Sequence, residues 1–529
     1  MAAPPRCWDE WRARRLRSLE ERELARSLRP VEPVVATDAS ATMDDDDGFA
    51  TDVGNGRAPS ASAAGGPSPV EVRVAPDTLA RWLANDQDLG HSHEPSTSAA
   101  PSSAPSSPSS SSSRRLRLFS SNDYLGMSTH RDVRVAAARA ALAHGSGPRS
   151  SALVCGYTPA HSRLERSLAR LKGTEECVLF SSGYAANCGV IPALCDDRGC
   201  EIFSDELNHA SIVDGCSLAA KRGGVKVTVY RHRDVTQLAR MVRASRADRV
   251  MIVTDSLFSM DGDFAPLRDI VALKRGENAR CGRARVLLCV DEAHATLVCG
   301  HRGSGAASML LTGRVGREPS IADDVDHDMD DDVDVSVADV DVSVGTLSKA
   351  MGSHGGFVTC SAAMKRVLLS VARSAMFSTS LPAPIVAAAT AALRVNESVG
   401  DEMRSRLRGA IATFATTCAA RIRATQAARC VGMSDDAVNR WRGVRVTGNS
   451  PVVSVMIGSE GAALAAAAEL LRRGFHVPAI RPPTVPANTC RLRVALSASH
   501  RLGDVRELAE AVADVVGGDG ARATATAKL

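Results

Sequence analysis

An α/β fold with a largely parallel central sheet, followed by a smaller α+β domain, is what the sequence predicts. Three observations carry it. Between Leu116 and Val344, short β-branched runs alternate with amphipathic stretches of helical spacing. From Pro382 a long Ala-rich helical stretch leads into a second, shorter alternation of strands and helices. One lysine, Lys349, stands among small residues directly after the β-branched run Val340, Val342, Val344, and a lysine is costly to bury without a partner.

In chain order, Trp8 to Leu28 is rich in Arg, Glu and Leu at helical spacing and ends at Arg29-Pro30, which predicts an N-terminal helix. Residues 37–69 are polar, carry an Asp44–Asp47 run, and predict disorder. Val70, Val72 and Val74 alternate as a strand, and Asp77 caps a short helix through Trp82. A serine run marks 85–113 as a linker. The main globular part begins at Leu116, with a turn-rich Phe119–Gly126 and a helix over Arg131–Ala143. Gly145–Gly156 reads as a mobile or substrate-facing loop, and Thr158–Lys172 as an amphipathic helix. Strands are predicted at Val178–Phe180, Glu201–Phe203, Val225–Tyr230, Val250–Thr254, Val286–Val290 and Val340–Val344, with helices from Tyr184, Ala210, Val235 and Ala265 between them. The second part has strands near Val452–Ile457 and Arg491–Leu496 and helices at Gly461–Arg473 and Arg501–Val516. The predicted segments are 1–36, 37–69, 70–84, 85–113, a large domain over 114–381 with an acidic insertion at about 312–338, a small domain over 382–516, and a tail over 517–529.

With 64 basic and 60 acidic residues in 529, the net charge of +4 points to neither a nucleic-acid nor a membrane partner. The 14 cysteines show neither a C-x-x-C pair nor a Cys/His cluster at zinc spacing, so no metal site is expected and the thiols read as reduced. The N-terminal stretch lacks the apolar core of a secretory signal, and Asp9, Glu10, Glu20, Glu21 and Glu23 argue against a transit peptide. The chain closes on Ala527-Lys528-Leu529, a variant of the S-K-L address read by the peroxisomal import receptor, so a peroxisomal location is expected, and the cytosol otherwise.

Chemistry gathers where parallel strands end. A desolvated Lys349 would present a neutral amine able to form a Schiff base with a carbonyl, although its Gly-rich surroundings also suit an exposed lysine. Asp291 ends the run Val286–Val290, where a carboxylate calls for a cation; it also reads as a helix N-cap. His294 follows in the same segment. Ser181-Ser-Gly-Tyr184 opens a helix after a strand and can cradle a phosphate, as many βα loops can. His209 places an imidazole after another strand. A lysine, a carboxylate for a pyridinium nitrogen, helix-end amides for a phosphate and a flat ring for stacking make up the kit for pyridoxal phosphate.

Five segments carry a resemblance: Ser120-Ser-Asn-Asp-Tyr-Leu-Gly126, Asp255-Ser-Leu-Phe-Ser-Met-Asp-Gly-Asp263, Asp291-Glu-Ala-His294, Gly345-Thr-Leu-Ser-Lys349 and Ala479-Ile-Arg-Pro-Pro-Thr-Val-Pro486. The chain resembles the α-oxoamine synthases, fold-type I pyridoxal-phosphate enzymes related to the class II aminotransferases, over Trp8–Leu28, Val70–Leu83 and nearly all of 116–516. Within that family the chain most resembles the biotin-synthesis branch in its plant or algal form, and Ile480–Pro486 with Arg491-Leu-Arg493 is the segment similar to that branch in particular. The resemblance implies a homodimer that condenses L-alanine with a pimeloyl thioester, on CoA or on a carrier protein. It also implies roles: Lys349 holds the cofactor and moves protons, Asp291 pairs with the ring nitrogen, and His209 stacks on the ring. His294 and Ser259 lie near the ring oxygen. Gly183, Tyr184 and Thr346 serve the phosphate, and Ser378 and Thr379 reach a phosphate across the dimer. Arg493 clamps the amino-acid carboxylate, while Arg26, Asn122 and Thr484 contact substrate. Two departures stand out. Ala295-Thr296-Leu297 lacks the glycines usual after the aspartate–histidine motif, and the Ser-rich and acidic segments have no counterpart. The rival readings are a sister synthase using glycine or serine, a plain aminotransferase, and a scaffold subunit, which would be expected to lack Lys349 or Asp291.

Overall fold

The structure is a computed structural model that describes residues 7–21, 70–74, 79, 83, 114–312, 337–429, 450–482 and 484–517. The expected disordered stretch, the Ser-rich linker, Arg26, most of the acidic insertion and the C-terminal tripeptide lie outside the described residues. The chain divides into two compact units, one of 1–67, 125–258 and 264–402, the other of 68–124, 259–263 and 403–529. Each is taken by itself.

The first unit is built on a seven-stranded sheet. Its order is Glu176–Phe180, Gly356–Cys360, Val342–Thr346, Val286–Asp291, Arg249–Asp255, Cys200–Asp205, Lys226–Tyr230. Only Gly356–Cys360 runs against the rest, pairing antiparallel with both neighbours. Sequence pattern did not assign this strand, because its leading glycines read as loop. The inner strands are buried along their whole length, and Val286–Val290 and Val250–Val253 are continuous apolar runs, as parallel strands covered on both faces require. Along Arg249–Asp255 the residues alternate between two cores: Met251 and Val253 pack in one, Val250 and Ile252 in the other. The N-terminal helix, described over Trp8–Glu21, buries Trp8 and Trp11 in the first of these cores. The Trp8 indole donates to the Val250 carbonyl at 3.0 Å, and the buried Arg249 guanidinium lies 5.4 and 5.2 Å from the two indoles. The expected loop over Gly145–Gly156 contains a turn of π-helix at Ala152–Gly156.

In the second unit Glu71–Val74 pairs antiparallel with Arg114–Leu118, which pairs in parallel with Phe475–His476. Arg114–Leu118 was not predicted as a strand, since three arginines mask the alternation of Leu116 and Leu118. A second sheet joins Val452–Gly458, Cys490–Ala495 and Ala479–Ile480. The predicted Ala-rich helix is Ala383–Arg429, of which residues 403–429 belong to this unit. Among the described residues no helix is long and apolar enough to cross a membrane.

His500 shows how the second unit holds a buried base. Its Nδ1 accepts from the Ser497 amide at 3.0 Å, so its Nε2–H faces the Leu118 carbonyl at 2.9 Å, and the ring stacks on Phe119 at 4.1 Å. That arrangement suits the neutral ring, and burial lowers the pKa to about 4. The unfolded chain therefore takes up a proton near its ordinary value of about 6.5, before the folded one does. The stabilisation is whole above that value and is lost as pH falls toward 4. We expect His500 to contribute about 2 kcal/mol to the loss of stability between pH 7 and pH 5, read as the difference between the urea midpoints of wild type and a His500→Gln variant, whose pH profile should be flatter.

Candidate active site

Lys349 lies in the connection between the antiparallel strands Val342–Thr346 and Gly356–Cys360. The connection is tight. The Gly352 amide donates to the Lys349 carbonyl at 2.9 Å, and Leu347 N–H to the Gly355 carbonyl at 2.9 Å. Gly352 has φ +62, and a Cβ there would stand 2.2 Å from the Ser128 nitrogen. Only glycine closes this turn. Lys349 itself is half-buried.

Asp291 ends the strand Val286–Asp291, buried, and sits in register with Asp255 on one side and Val344 on the other. Its carboxylate accepts from Asn187 Nδ2 at 2.6 Å and from the Ala293 amide at 2.8 Å. The second bond is the N-cap-like turn that the sequence also allowed. His209 is held from beneath: its backbone N–H donates to Asp255 Oδ2 at 2.8 Å, and its Nδ1 meets Ser211 Oγ at 2.7 Å. Burial is the main cause that lowers the His209 pKa; the charge of Asp291 opposes it and that of Lys349 adds to it. The Asp255 pKa is raised well above the ordinary carboxylate value, first by burial and then by Asp291, with Lys349 opposing. Lys349, Asp291, His209 and Asp255 are thus electrostatic neighbours at the C-terminal edge of the sheet, as open α/β sites are.

The helix Gly183–Leu194 starts beside them. Ser182 Oγ caps it by accepting from the Ala185 amide at 3.0 Å. A Cβ on Gly183 would meet Thr346 Cβ at 3.3 Å, and one on Gly356 would meet the Ser182 carbonyl carbon at 2.3 Å. The helix N-terminus therefore lies directly against Thr346, whose Oγ1 exchanges a hydrogen bond with Ser348 Oγ at 2.7 Å. Amides, two hydroxyls and the positive end of a helix converge there, the chemistry that receives a phosphate. Tyr184 is placed differently. It is 46 % exposed and its hydroxyl pairs with Asp214 on the neighbouring helix.

His294 is buried in the segment after Asp291. The missing glycines leave a mark here: Leu297 takes φ +66, a left-handed conformation rare for a branched apolar residue. It is wholly buried, and its amide donates to the Gly303 carbonyl at 2.8 Å. Burial of the side chain and this bond hold the strained backbone in place.

Arg493, Asn122, Ser259 and Thr484 belong to the second unit. Arg493 is buried; Nε donates to the Ser259 carbonyl at 2.6 Å, and both terminal nitrogens reach Asn122 Oδ1 at 3.3 Å. Arg491, on the same face of the strand, spends its charge on Asp261. Arg493 meets neutral oxygens instead, which suits a guanidinium kept for a substrate carboxylate. Thr484 is exposed in a turn, its amide donating to the Arg481 carbonyl at 3.0 Å. Ser378 is half-buried and Thr379 exposed; Thr379 bridges to Ser151 beside a small cavity lined by Tyr157, Glu165 and Ser380. Sequence reasoning missed Asn187, Asp255 and Ser211. Asn187 carried a signal, as a polar residue one turn into an otherwise apolar helix.

The chain is similar to proteins already known. The family model for class I and II aminotransferases matches residues 115–512. The 8-amino-7-oxononanoate synthase of Arabidopsis thaliana is 36% identical over 525 residues, 96% of this chain and 94% of its own. That of Geobacter sulfurreducens is 40% identical over 404 residues, 76% and 89% of the two chains. A serine palmitoyltransferase solved with pyridoxal phosphate is 28% identical, with a TM-score of 0.62, covering 76% of this chain and 89% of its own. The residues present here fit that cofactor: a carboxylate at a strand mouth, a lysine and an imidazole within its field, and a helix start in contact with Thr346 and pressed against Gly356 too closely for a side chain there. Sequence, fold and site together place the chain in the class I and II aminotransferase family.

Proposed function

We propose that the chain is an 8-amino-7-oxononanoate synthase, joining L-alanine to a pimeloyl thioester with loss of CO2 and of the thiol carrier, a step of biotin synthesis. The cofactor is pyridoxal phosphate. The observation that carries the reading is the joint placement of Lys349, Asp291 and His209 at one sheet edge, in a chain that matches a synthase of that name over 96% of its length.

Bound at this edge, pyridoxal phosphate supplies an electron sink that stabilises negative charge on the amino-acid α-carbon. The protein's own groups do the rest. Lys349 Nζ would hold the cofactor covalently, and the same amine would serve as the base for the α-proton and as the acid that returns one. Asp291 would face the ring nitrogen and keep its proton in place, because a buried carboxylate favours a cation beside it. His209 would stack on the ring. The helix start at Gly183, with Thr346, would bind the phosphate. Arg493 would take the alanine carboxylate bidentately, with Asn122 at its fork. His294 and Ser259 would attend the ring oxygen and the thioester carbonyl, and Arg26 and Thr484 the acyl chain. The reading carries a homodimer with it, in which Ser378 and Thr379 serve the other subunit's phosphate. It also carries import into peroxisomes through Ala527-Lys528-Leu529, supported by that tripeptide alone.

The test is product detection by mass after mixing protein, pyridoxal phosphate, L-alanine and pimeloyl-CoA, with glycine plus acetyl-CoA or succinyl-CoA in parallel. We expect 8-amino-7-oxononanoate with alanine and no product with glycine. Product with glycine alone would transfer the chain to a sister activity, and no product with any pair would favour a carrier-bound donor or a scaffold.

A further inference from the structure

We propose that Asn187 is a positioning residue of this site: one buried amide sets the carboxylate of Asp291 and, by way of Ser211, the imidazole of His209. The inference rests on the reading of the site as one for pyridoxal phosphate.

Asn187 is completely buried, one turn into the helix Gly183–Leu194. Its Nδ2 donates one hydrogen to Asp291 Oδ2 at 2.6 Å and the other to Ser211 Oγ at 2.9 Å. The assignment of N and O is forced, because the amide oxygen in that place would face a carboxylate. Ser211 passes the order on. Its backbone N–H donates to His209 Nδ1 at 3.2 Å, so Nδ1 is an acceptor, and the Ser211 hydroxyl at 2.7 Å must donate to it as well. The chain of donors runs Asn187 to Ser211 to His209 and leaves the imidazole proton on Nε2. The two helices that carry it approach closely at Gly215, where a Cβ would lie 2.8 Å from the Asn187 carbonyl oxygen and 2.9 Å from Ile191 Cδ1. Only with glycine there do Asn187 and Ser211 come within reach.

Stability alone does not account for this residue. Asn187 Oδ1 is buried with no hydrogen-bond partner, and an orphaned buried acceptor opposes folding. An apolar side chain would suit the surrounding core of Ala186, Val190 and Ile191. The amide earns its place by what its two donors hold. Asp291 and, by way of Ser211, His209 both touch the cofactor in the reading above, one at the ring nitrogen and one at the ring face. Asn187 would touch neither the cofactor nor the substrate.

The experiment compares pyridoxal-phosphate affinity and apo-protein melting temperature in wild type, Asn187→Ala, Asn187→Asp and Val190→Ala. Val190 is buried in the same helix and makes no polar contact with the site, so it reports loosening of the helix alone. We expect Asn187→Ala to weaken cofactor binding about ten- to a hundredfold, the loss that follows removal of a hydrogen bond to a charged group. Val190→Ala should leave affinity within about twofold at a comparable drop in melting temperature, since it removes apolar contact only. Asn187→Asp is nearly isosteric and decides the matter should the alanine variant not fold. Its carboxylate can donate to Asp291 only when protonated, so its affinity relative to wild type should be nearer normal at pH 6 than at pH 8. Wild-type affinity in Asn187→Ala, an equal loss in Val190→Ala, or a pH-independent Asn187→Asp would each overturn the inference. Wild-type protein that takes up no pyridoxal phosphate would sink the reading of the site itself, and this inference with it.

Discussion

Replacing Lys349 with Ala is expected to abolish turnover while leaving the fold intact. The side chain is half-buried in a turn whose backbone bonds, Gly352 to Lys349 and Leu347 to Gly355, do not involve it. Little packing is lost, so the melting temperature of the apo protein should stay close to wild type. The chemistry has no substitute. A positioned proton-transfer group contributes about 10²- to 10⁴-fold, and the same amine is also the covalent anchor, so we expect a loss of at least about 10⁴-fold in kcat. Lys349→Arg separates the two contributions from simple charge. A guanidinium keeps the positive charge but cannot be deprotonated, so the arginine variant should retain some cofactor by charge and phosphate contacts yet turn over no faster than the alanine variant. Initial rates and the long-wavelength absorbance of the bound cofactor check both. Retention of activity in Lys349→Ala would sink the proposed role.

The elements that define the site were legible because each carries a local signature. Val286–Val290 is a continuous apolar run that stops at a carboxylate, and Val340–Val344 leads into the small-residue stretch that carries Lys349; strand ends and the chemistry beyond them are readable together. What escaped the sequence depends on long-range partners. Asp255 looks like any strand end until the register sets it opposite Asp291. Arg114–Leu118 gains its place from pairing on both sides, not from its arginine-rich composition. Gly356–Cys360 is a strand because Glu176–Phe180 and Val342–Thr346 flank it. The segment 259–263, read from sequence as one stretch with Asp255, groups with Arg491 and Arg493 in the second unit. Leu297 is the opposite case: sequence marked the place by its missing glycines, and the structure shows what the absence costs, a left-handed φ on a buried leucine.

The second large effect concerns stability, at the residue beside Asp291. Glu292 and Lys172 form an ion pair at 2.6 Å with both side chains 2% exposed. The carboxylate also accepts from the Ala307 amide at 2.7 Å and from Ser343 Oγ at 3.1 Å. Every oxygen is engaged, which is the condition under which a buried pair tolerates its desolvation. Glu292→Ala removes the partner of a buried ammonium and orphans two donors, and we expect a loss of about 3–5 kcal/mol, read from urea midpoints of the apo protein. Lys172→Met, which leaves the carboxylate with its neutral donors, should cost less. Gly305 reports the same tightness from the other side. Its φ is +126, and a Cβ would stand 2.5 Å from the Glu292 oxygens and 2.6 Å from Lys172 Nζ, so Gly305→Ala should destabilise both by backbone strain and by parting the pair. The double variant Lys172→Met/Glu292→Leu is the informative one. Apolar replacement of a buried pair is often neutral or better for stability, so its midpoint should recover most of the loss. Its cofactor affinity should not recover to the same extent, because the Glu292 carboxylate bonds also fix the segment that carries Asp291 and His294. Recovery of both in step would mean that the pair serves the fold alone; recovery of stability without affinity would mean that it also tensions the site.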